Sequence, residues 1–177
     1  EEDTVIALTG TDMKTTLNGQ AVPMWEAVKV SRGDKLKCGI FGQTGFRAYL
    51  AVAGGIDVPL YLGSKSTCLF GNYGGFQGRQ LQPGDLLSFG SPSRPLETLA
   101  GRRVKADKIP AYKQEMEIRA IVGMNACPDF VTEAGMDYLF STPFKISESS
   151  NRSAYRLDPL PDYFFARDSG GVGGSHP

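Results

Sequence analysis

The sequence predicts a mainly β protein with few helices, built in its first ninety residues as a barrel or sandwich. Three observations carry this. Short runs of alternating or apolar residues recur at close intervals. Compact turn signals separate them, namely Asn18-Gly19, Arg32-Gly33-Asp34 and Pro83-Gly84-Asp85. Only one later stretch spaces its apolar residues as a helix does. Strands this short, punctuated this often, suit an antiparallel barrel or sandwich better than a parallel α/β sheet.

The elements follow in order. VIALTG (Val5 to Gly10) is an apolar strand ending in a glycine turn. Met13 to Leu17 runs into Asn18-Gly19, the strongest short hairpin signal, because a type I′ turn needs φ > 0 at both central residues. Val22-Pro23-Met24-Trp25 leads into the alternating Ala27-Val28-Lys29-Val30. Arg32-Gly33-Asp34 is read as a turn and not as an adhesion motif, since Gly-Asp satisfies turn geometry without a partner. Lys35 to Cys38 alternates again, and Phe46 to Val52 is the best strand of the chain. Leu86 to Phe89 is expected as a strand after its Pro-Gly-Asp turn. VKVSRGDKLKCG (28–39) and RQLQPGDLLSFG (79–90) echo each other, which shared turn chemistry explains without duplication.

Ser91 to Gln114 holds three prolines, many charges and few large apolar residues, and reads as a connection between two units. Met116 to Val122 is expected as a new strand. Pro128 to Phe140, with Phe130, Val131, Met136, Leu139 and Phe140 at mostly helical spacing, is the expected helix. Phe144 to Ile146 and Tyr155 to Leu157 are expected strands around a polar turn, 147–153. The organisation expected is a first unit over 1–90, a connection over 91–114 and a second unit over 115–177. The ending RDSGGVGGSHP contains no packing element, and the first strand starts at residue 4, so the chain is expected to be a piece of something larger.

Composition narrows the function classes. The 177 residues contain 41% hydrophobic and 21% charged side chains, ordinary for a globular protein. Nineteen basic residues balance 19 acidic ones, which argues against a nucleic-acid partner because that needs clustered Lys and Arg. No apolar run approaches the ~18 residues of a membrane span. The N-terminus lacks the layout of a signal peptide. Cys38, Cys68 and Cys127 stand far apart, an odd number without metal spacing, and are read as reduced core fillers of a cytoplasmic protein. With one histidine and scattered acids, no metal ligand set is expected.

One stretch is chemically unusual. GSKSTCLFGNYGGFQGR (63–79) gathers five glycines, the hydroxyls of Ser64, Ser66 and Thr67, three aromatics and two basic residues, Lys65 and Arg79. No G-x-x-x-x-G-K-[ST] frame fits, nor does G-x-G-x-x-G, so it is not a nucleotide phosphate loop. Glycines that permit positive φ and expose backbone N–H groups suit the wall of a small-molecule cleft on a rigid scaffold.

A family resemblance enters on longer patterns. RAYLAVAGGID, YLGSKST, GGFQGR and PGDLL, in order within 47–87, resemble the biotin-dependent carboxyltransferase family. That family includes the carboxyltransferase domain of urea carboxylase or urea amidolyase, allophanate hydrolase subunit 2 and the C subunit of 5-oxoprolinase. CPDFVTEAGMDYLFSTPFKISESSNRSAYRLD (127–158) is similar to its later segment, and ARDSGGVGGSHP (166–177) looks more like the urea carboxylase branch. The turn around Asp158 to Tyr163 departs locally from the family pattern. The resemblance implies two cyclophilin-like β-barrel units, the first incomplete at the front and the second cut short. It implies an enzyme part that moves the carboxyl group from carboxybiotin to urea, giving allophanate. Biotin would arrive on another domain, ATP would be used by a partner domain, and the partners would be biotin carboxylase and biotin carrier domains. A 5-oxoprolinase-type hydrolase component without biotin and a partner-binding scaffold remain the alternatives.

That chemistry needs fixed donors for developing negative charge, a proton relay and tight positioning of the acceptor nitrogen. The candidates for catalysis are His176, Arg79 and Arg152. The candidates for substrate binding are Arg47, Ser64, Ser66, Thr67, Gly74, Gly75, Gly78, Asn151 and Arg156. Arginine suits a carboxylate because its planar fork makes paired hydrogen bonds. Each has a plainer alternative: Arg47, Arg79 or Arg152 as a surface charge, Asn151 as a turn residue, His176 as an inert tail residue. Tyr73 and Phe76 either shelve the biotin ring or pack under the loop. The isolated chain is expected to be inactive.

Overall fold

The computed structural model describes residues 2–40, 44–151, 154–158 and 160–166. The chain divides into two compact units, 1–116 and 117–177.

The first unit is built on two three-stranded antiparallel sheets. In one, β1 (Thr4–Gly10) lies between β4 (Ala27–Val30) and β6 (Ala48–Val52). Thr4 stands opposite Val30, and Ile6 faces both Val28 and Val52 across the two ladders. β1 supplies the core, with Val5, Ile6 and Leu8 at 5%, 5% and 3% exposure. Being central, it pairs on both edges and buries both faces, which explains its continuous apolar run. The other sheet places β2 (Thr16–Leu17) between β3 (Gln20–Ala21) and β5 (Leu36–Lys37). Its hairpin turns at Asn18 (φ 52°) and Gly19 (φ 85°), both left-handed as the Asn-Gly signal requires.

The two Gly-Asp turns share one geometry. The Asp34 carboxylate accepts from the Ser31 N–H at 2.8 Å, while the Asp34 N–H donates to the Ser31 carbonyl at 3.0 Å. Asp85 and Gln82 repeat this at 2.6 and 3.1 Å. The sequence echo is therefore turn chemistry, in which a carboxylate holds the N–H three residues back.

Residues 91–114 are more than a tether. They contain α1 (Leu96–Leu99) and a 3₁₀ turn at Ala106–Lys108. Between these, the chain lays an extended piece beside β4: the Ala27 N–H donates to the Arg102 carbonyl, and the Val104 N–H to the Trp25 carbonyl. The expected strand at 86–89 reduces to one bridge between Phe89 and Ile56, with Leu86 89% exposed. The expected strand at 116–122 is absent. Ile118, Ile121 and Val122 are 77%, 95% and 61% exposed, and a strand-like composition makes no ladder without a neighbour.

The second unit holds α2 (Glu133–Ser141) and the two-stranded pair β7 (Lys145–Ile146) and β8 (Leu157–Asp158). The helix starts at Glu133, later than the Pro128 that its apolar spacing predicts. Thr132 caps it, its Oγ1 accepting from the Gly135 N–H at 2.9 Å and donating to the Tyr163 carbonyl at 2.7 Å. Val131 and Phe164 form its small core.

The architecture is thus mainly β with few helices, and no sheet closes into a barrel among the described residues. Among those residues no helix is long and apolar enough to cross a membrane. Cys38 and Cys127 are exposed and Cys68 is half-buried, all three free, which corrects the reading of the cysteines as core fillers: a thiol left open to solvent fills no core.

Candidate functional site

The unusual stretch 63–79 folds as a chain of tight turns in the first unit. Tyr61 and Ser64 exchange backbone hydrogen bonds at 2.8 and 3.0 Å, and Cys68 and Tyr73 do the same at 2.9 and 3.3 Å. Ser64 and Ser66 are exposed, Thr67 is half-buried, and Ser64 Oγ accepts from the Ser66 N–H at 3.0 Å. Lys65 turns back to the Ile56 carbonyl at 3.2 Å.

The glycines bring this turn chain close to itself. A Cβ on Gly74 would meet the Ser66 carbonyl oxygen, and one on Gly75 would meet Thr67 Oγ1. A Cβ on Gly78 would meet the Asn72 carbonyl. All three have positive φ, so a side chain there is opposed by both backbone strain and space. The fold thus assembles Ser64, Ser66, Thr67, Gly74 and Gly75 into one surface, while Gly78 is buried, and the glycines serve the close approach of one part of the turn chain to another.

Beside this surface, the Tyr61 and Tyr73 rings stack at 4.6 Å between centroids, tilted by 31°. They keep 47% and 42% exposure, an aromatic face open to solvent. The Tyr73 hydroxyl, aided by the Gly71 and Phe70 backbone N–H groups, holds the Cys68 thiol below its ordinary pKa, and the same contact raises the tyrosine. Phe76 is half-buried under the Arg79 guanidinium, 5.3 Å from ring centre to Cζ.

Arg79 closes the stretch. Its fork meets Asp85 with Nη1 to Oδ2 and Nη2 to Oδ1 both at 2.8 Å. This hydrogen bonding, with the Gln82 N–H, holds the Asp85 carboxyl at about 2. Sequence spacing does not single out Asp85; its signal is the Pro-Gly-Asp turn that follows Arg79.

The other candidates lie elsewhere. Arg47 precedes β6, with its carbonyl accepting from the Thr11 N–H at 2.8 Å and its guanidinium 5.6 Å from the Phe46 ring centre. In the second unit, Asn151 makes a turn: its N–H donates to the Ala154 carbonyl and its Oδ1 accepts from the Ala154 N–H. Arg156 is exposed beside it, its N–H donating to Ser150 Oγ at 2.8 Å. His176 and Arg152 lie outside the described residues. A groove of about 520 Å³, lined by Glu2, Asp3, Ser91, Arg94 and neighbours, includes none of the candidates. Among the described residues no three His, Cys, Asp or Glu side chains gather as a metal site.

The surface can therefore offer hydroxyls, a flat aromatic face and a held loop to a small polar ligand. Comparison with known proteins agrees with the sequence patterns. The family model described as carboxyltransferase domain, subdomain A and B, matches residues 1–177. The chain is 41% identical to urea amidolyase of Saccharomyces cerevisiae, over 99% of its own length and 10% of that protein. It is 34% identical to the C subunit of 5-oxoprolinase of Escherichia coli, over 89% of this chain and 47% of that protein. Among solved structures, the K. lactis urea amidolyase superposes with a TM-score of 0.79 at 34% identity, covering 94% of this chain and 10% of that one. The chain spans about a tenth of the length of these urea amidolyases.

Proposed function

Because this chain belongs to the carboxyltransferase domain family, subdomains A and B, we propose that it is the carboxyltransferase region of a urea carboxylase or urea amidolyase. The observation that carries the reading is its greater identity to urea amidolyase than to the 5-oxoprolinase protein, sustained along nearly the whole chain. In this reading a urea nitrogen takes the carboxyl group as the N–C bond of carboxybiotin breaks, giving allophanate, and the proton that the urea nitrogen gives up would end on the biotin nitrogen that lost the carboxyl group.

The surface fits biotin in kind. The open Tyr61–Tyr73 face matches a compact bicyclic ring, and the Ser64 and Ser66 hydroxyls match its ureido group. Biotin, carried by another domain, supplies the activated carboxyl group. ATP is consumed by a partner biotin carboxylase domain. Within the first unit, Ser64, Ser66 and Thr67 orient polar groups by hydrogen bonds and Arg47 supplies donors to a carboxylate oxygen; in the second unit, taken by itself, Asn151, Arg152 and Arg156 supply donors to substrate oxygens. His176, with an imidazole of the kind that titrates near neutrality, handles the proton. The sheets of the first unit belong to a cyclophilin-like barrel, and the isolated chain lacks turnover.

The test is a substrate comparison on the intact polypeptide supplied with ATP, bicarbonate and biotinylated carrier. Urea-dependent ATP cleavage with formation of allophanate is expected. Consumption of 5-oxoproline in place of urea would overturn the reading. Urea carboxylation by the isolated 177-residue chain, with the other domains added separately, would overturn the claim that it lacks turnover alone.

A further inference from the structure

Arg79 has the composition of a substrate-binding residue and the surroundings of a rivet. Its guanidinium makes five hydrogen bonds within the chain. Nε and Nη2 donate to Gln77 Oε1 at 3.2 and 3.0 Å. Nη1 and Nη2 take the two Asp85 oxygens at 2.8 Å each, and Nη1 also reaches the Gln80 carbonyl at 2.8 Å. A guanidinium owns about five N–H donors, so the chain itself meets its whole capacity. The face that would receive a substrate carboxylate already holds a carboxylate.

The far end of this contact is anchored as well. Asp85 Oδ2 accepts from the Gln82 N–H at 2.6 Å, which ties the carboxylate to the Pro83-Gly84 turn. The Asp85 side chain is 15% exposed and the Arg79 side chain 31%, so the pair is largely withdrawn from water. The near end reaches the loop. Arg79 lies over Phe76 and grips Gln77, its own N–H donates to the Phe76 carbonyl at 3.3 Å, and the Gly78 N–H donates to the Gly74 carbonyl at 3.0 Å. A continuous set of contacts thus runs from the turn at 82–85 to the loop at 74–78.

We propose that Arg79 and Asp85 act together as positioning residues that hold the loop 74–78, and that Arg79 does not bind the substrate carboxylate. The role of the loop rests on the carboxyltransferase reading above. The clamp itself rests only on this geometry.

The test uses the intact polypeptide with Arg79→Lys, Asp85→Asn, Asp85→Glu and the double variant Arg79→Lys/Asp85→Asn. Hydrogen exchange at residues 74–78, measured without substrate, reads the clamp whatever the reaction proves to be. Each single loss should speed exchange there by roughly tenfold or more, and the double variant should go little beyond the worse single one, as expected of two partners in one contact. In turnover with urea, kcat of the folded enzyme should fall roughly ten- to a hundredfold for both Arg79→Lys and Asp85→Asn. KM for ATP should stay unchanged, and Asp85→Glu should recover part of the rate. Wild-type exchange and turnover in Asp85→Asn beside a large loss in Arg79→Lys would overturn the proposal and make Arg79 a ligand. Faster exchange with full kcat would also overturn it, leaving the pair a structural contact alone. Failure of the wild type to carboxylate urea would count against the carboxyltransferase reading, while the exchange result would still decide the clamp.

Discussion

Gly75 and Thr67 sit so close that no side chain fits between them. A Cβ on Gly75 would fall on Thr67 Oγ1, with Thr67 Cβ at 2.9 Å and its backbone N at 3.0 Å. Gly75 also has φ +52°, where an L-residue is strained. Gly75→Ala should therefore destabilise the first unit by about 2–4 kcal/mol, from strain and overpacking combined. Adding Thr67→Ala should recover part of this by removing Oγ1. Denaturant unfolding of the three variants measures it; unchanged stability in Gly75→Ala would mean that the turn chain opens to accept the methyl group.

Gly19 makes the opposite case, also with a left-handed backbone. Its φ is +85°, yet nothing lies within 4 Å of the missing Cβ. Gly19→Ala should cost only the backbone term, about 1–2 kcal/mol, with no rescue from any neighbouring substitution. A loss as large as that at Gly75 in the same unfolding assay would contradict this division between strain and crowding.

The Asp85 carboxyl, held at about 2 against an ordinary 3.8, sets a pH window. A group with a lowered folded pKa contributes stability above its unfolded value and loses it as pH falls through the folded one. Wild type should thus exceed Asp85→Asn in stability at neutral pH, and most of that difference should vanish between about pH 4 and pH 2. Asp12 and Asp34 are lowered too, by Lys14 and by Ser31 with Asn18, so both proteins weaken in acid and only their difference reports Asp85. Urea unfolding across this range is the measurement, and a difference that ignores pH would refute the assignment.

Thr132 is expected to govern the start of α2. Thr132→Val removes both the cap on the Gly135 N–H and the donor to the Tyr163 carbonyl. The loss should be about 1–2 kcal/mol, with faster exchange confined to the first turn of the helix, and Thr132→Ser should retain most of the stability. A loss in the serine variant with none in the valine variant would assign the effect to the methyl group instead.

The Leu8 side chain, 3% exposed at the centre of β1, tests the small core of the first unit. Leu8→Ala should cost about 2–5 kcal/mol, as for other buried leucines. Thermal unfolding of the variant beside the wild type checks it, and a loss under ~1 kcal/mol would mean that the sheet closes over the cavity.

Much of this protein is legible in its residues because the signals are local. Asn18-Gly19 demands a left-handed hairpin, the two Gly-Asp turns fold alike, and the runs at β1, β4 and β6 become strands where expected. The ordered patterns between 47 and 87 carry the family, since long spaced motifs survive where single residues do not. Other features wait on distant neighbours. Residues 116–122 have strand composition but find no partner to complete a ladder, and 101–104 lie down beside β4 although nothing in their proline-rich surroundings requires it. The helix starts at Glu133 behind its Thr132 cap, whose hydroxyl is held on its other side by the Tyr163 carbonyl, 31 residues away. Arg79 is the clearest division. Sequence determined that a cation with a two-pronged fork ends the glycine-rich stretch; tertiary structure decided that the fork closes on Asp85, because charge and hydrogen-bonding capacity belong to a side chain, while the group that consumes them is whichever one folding brings within about 3 Å.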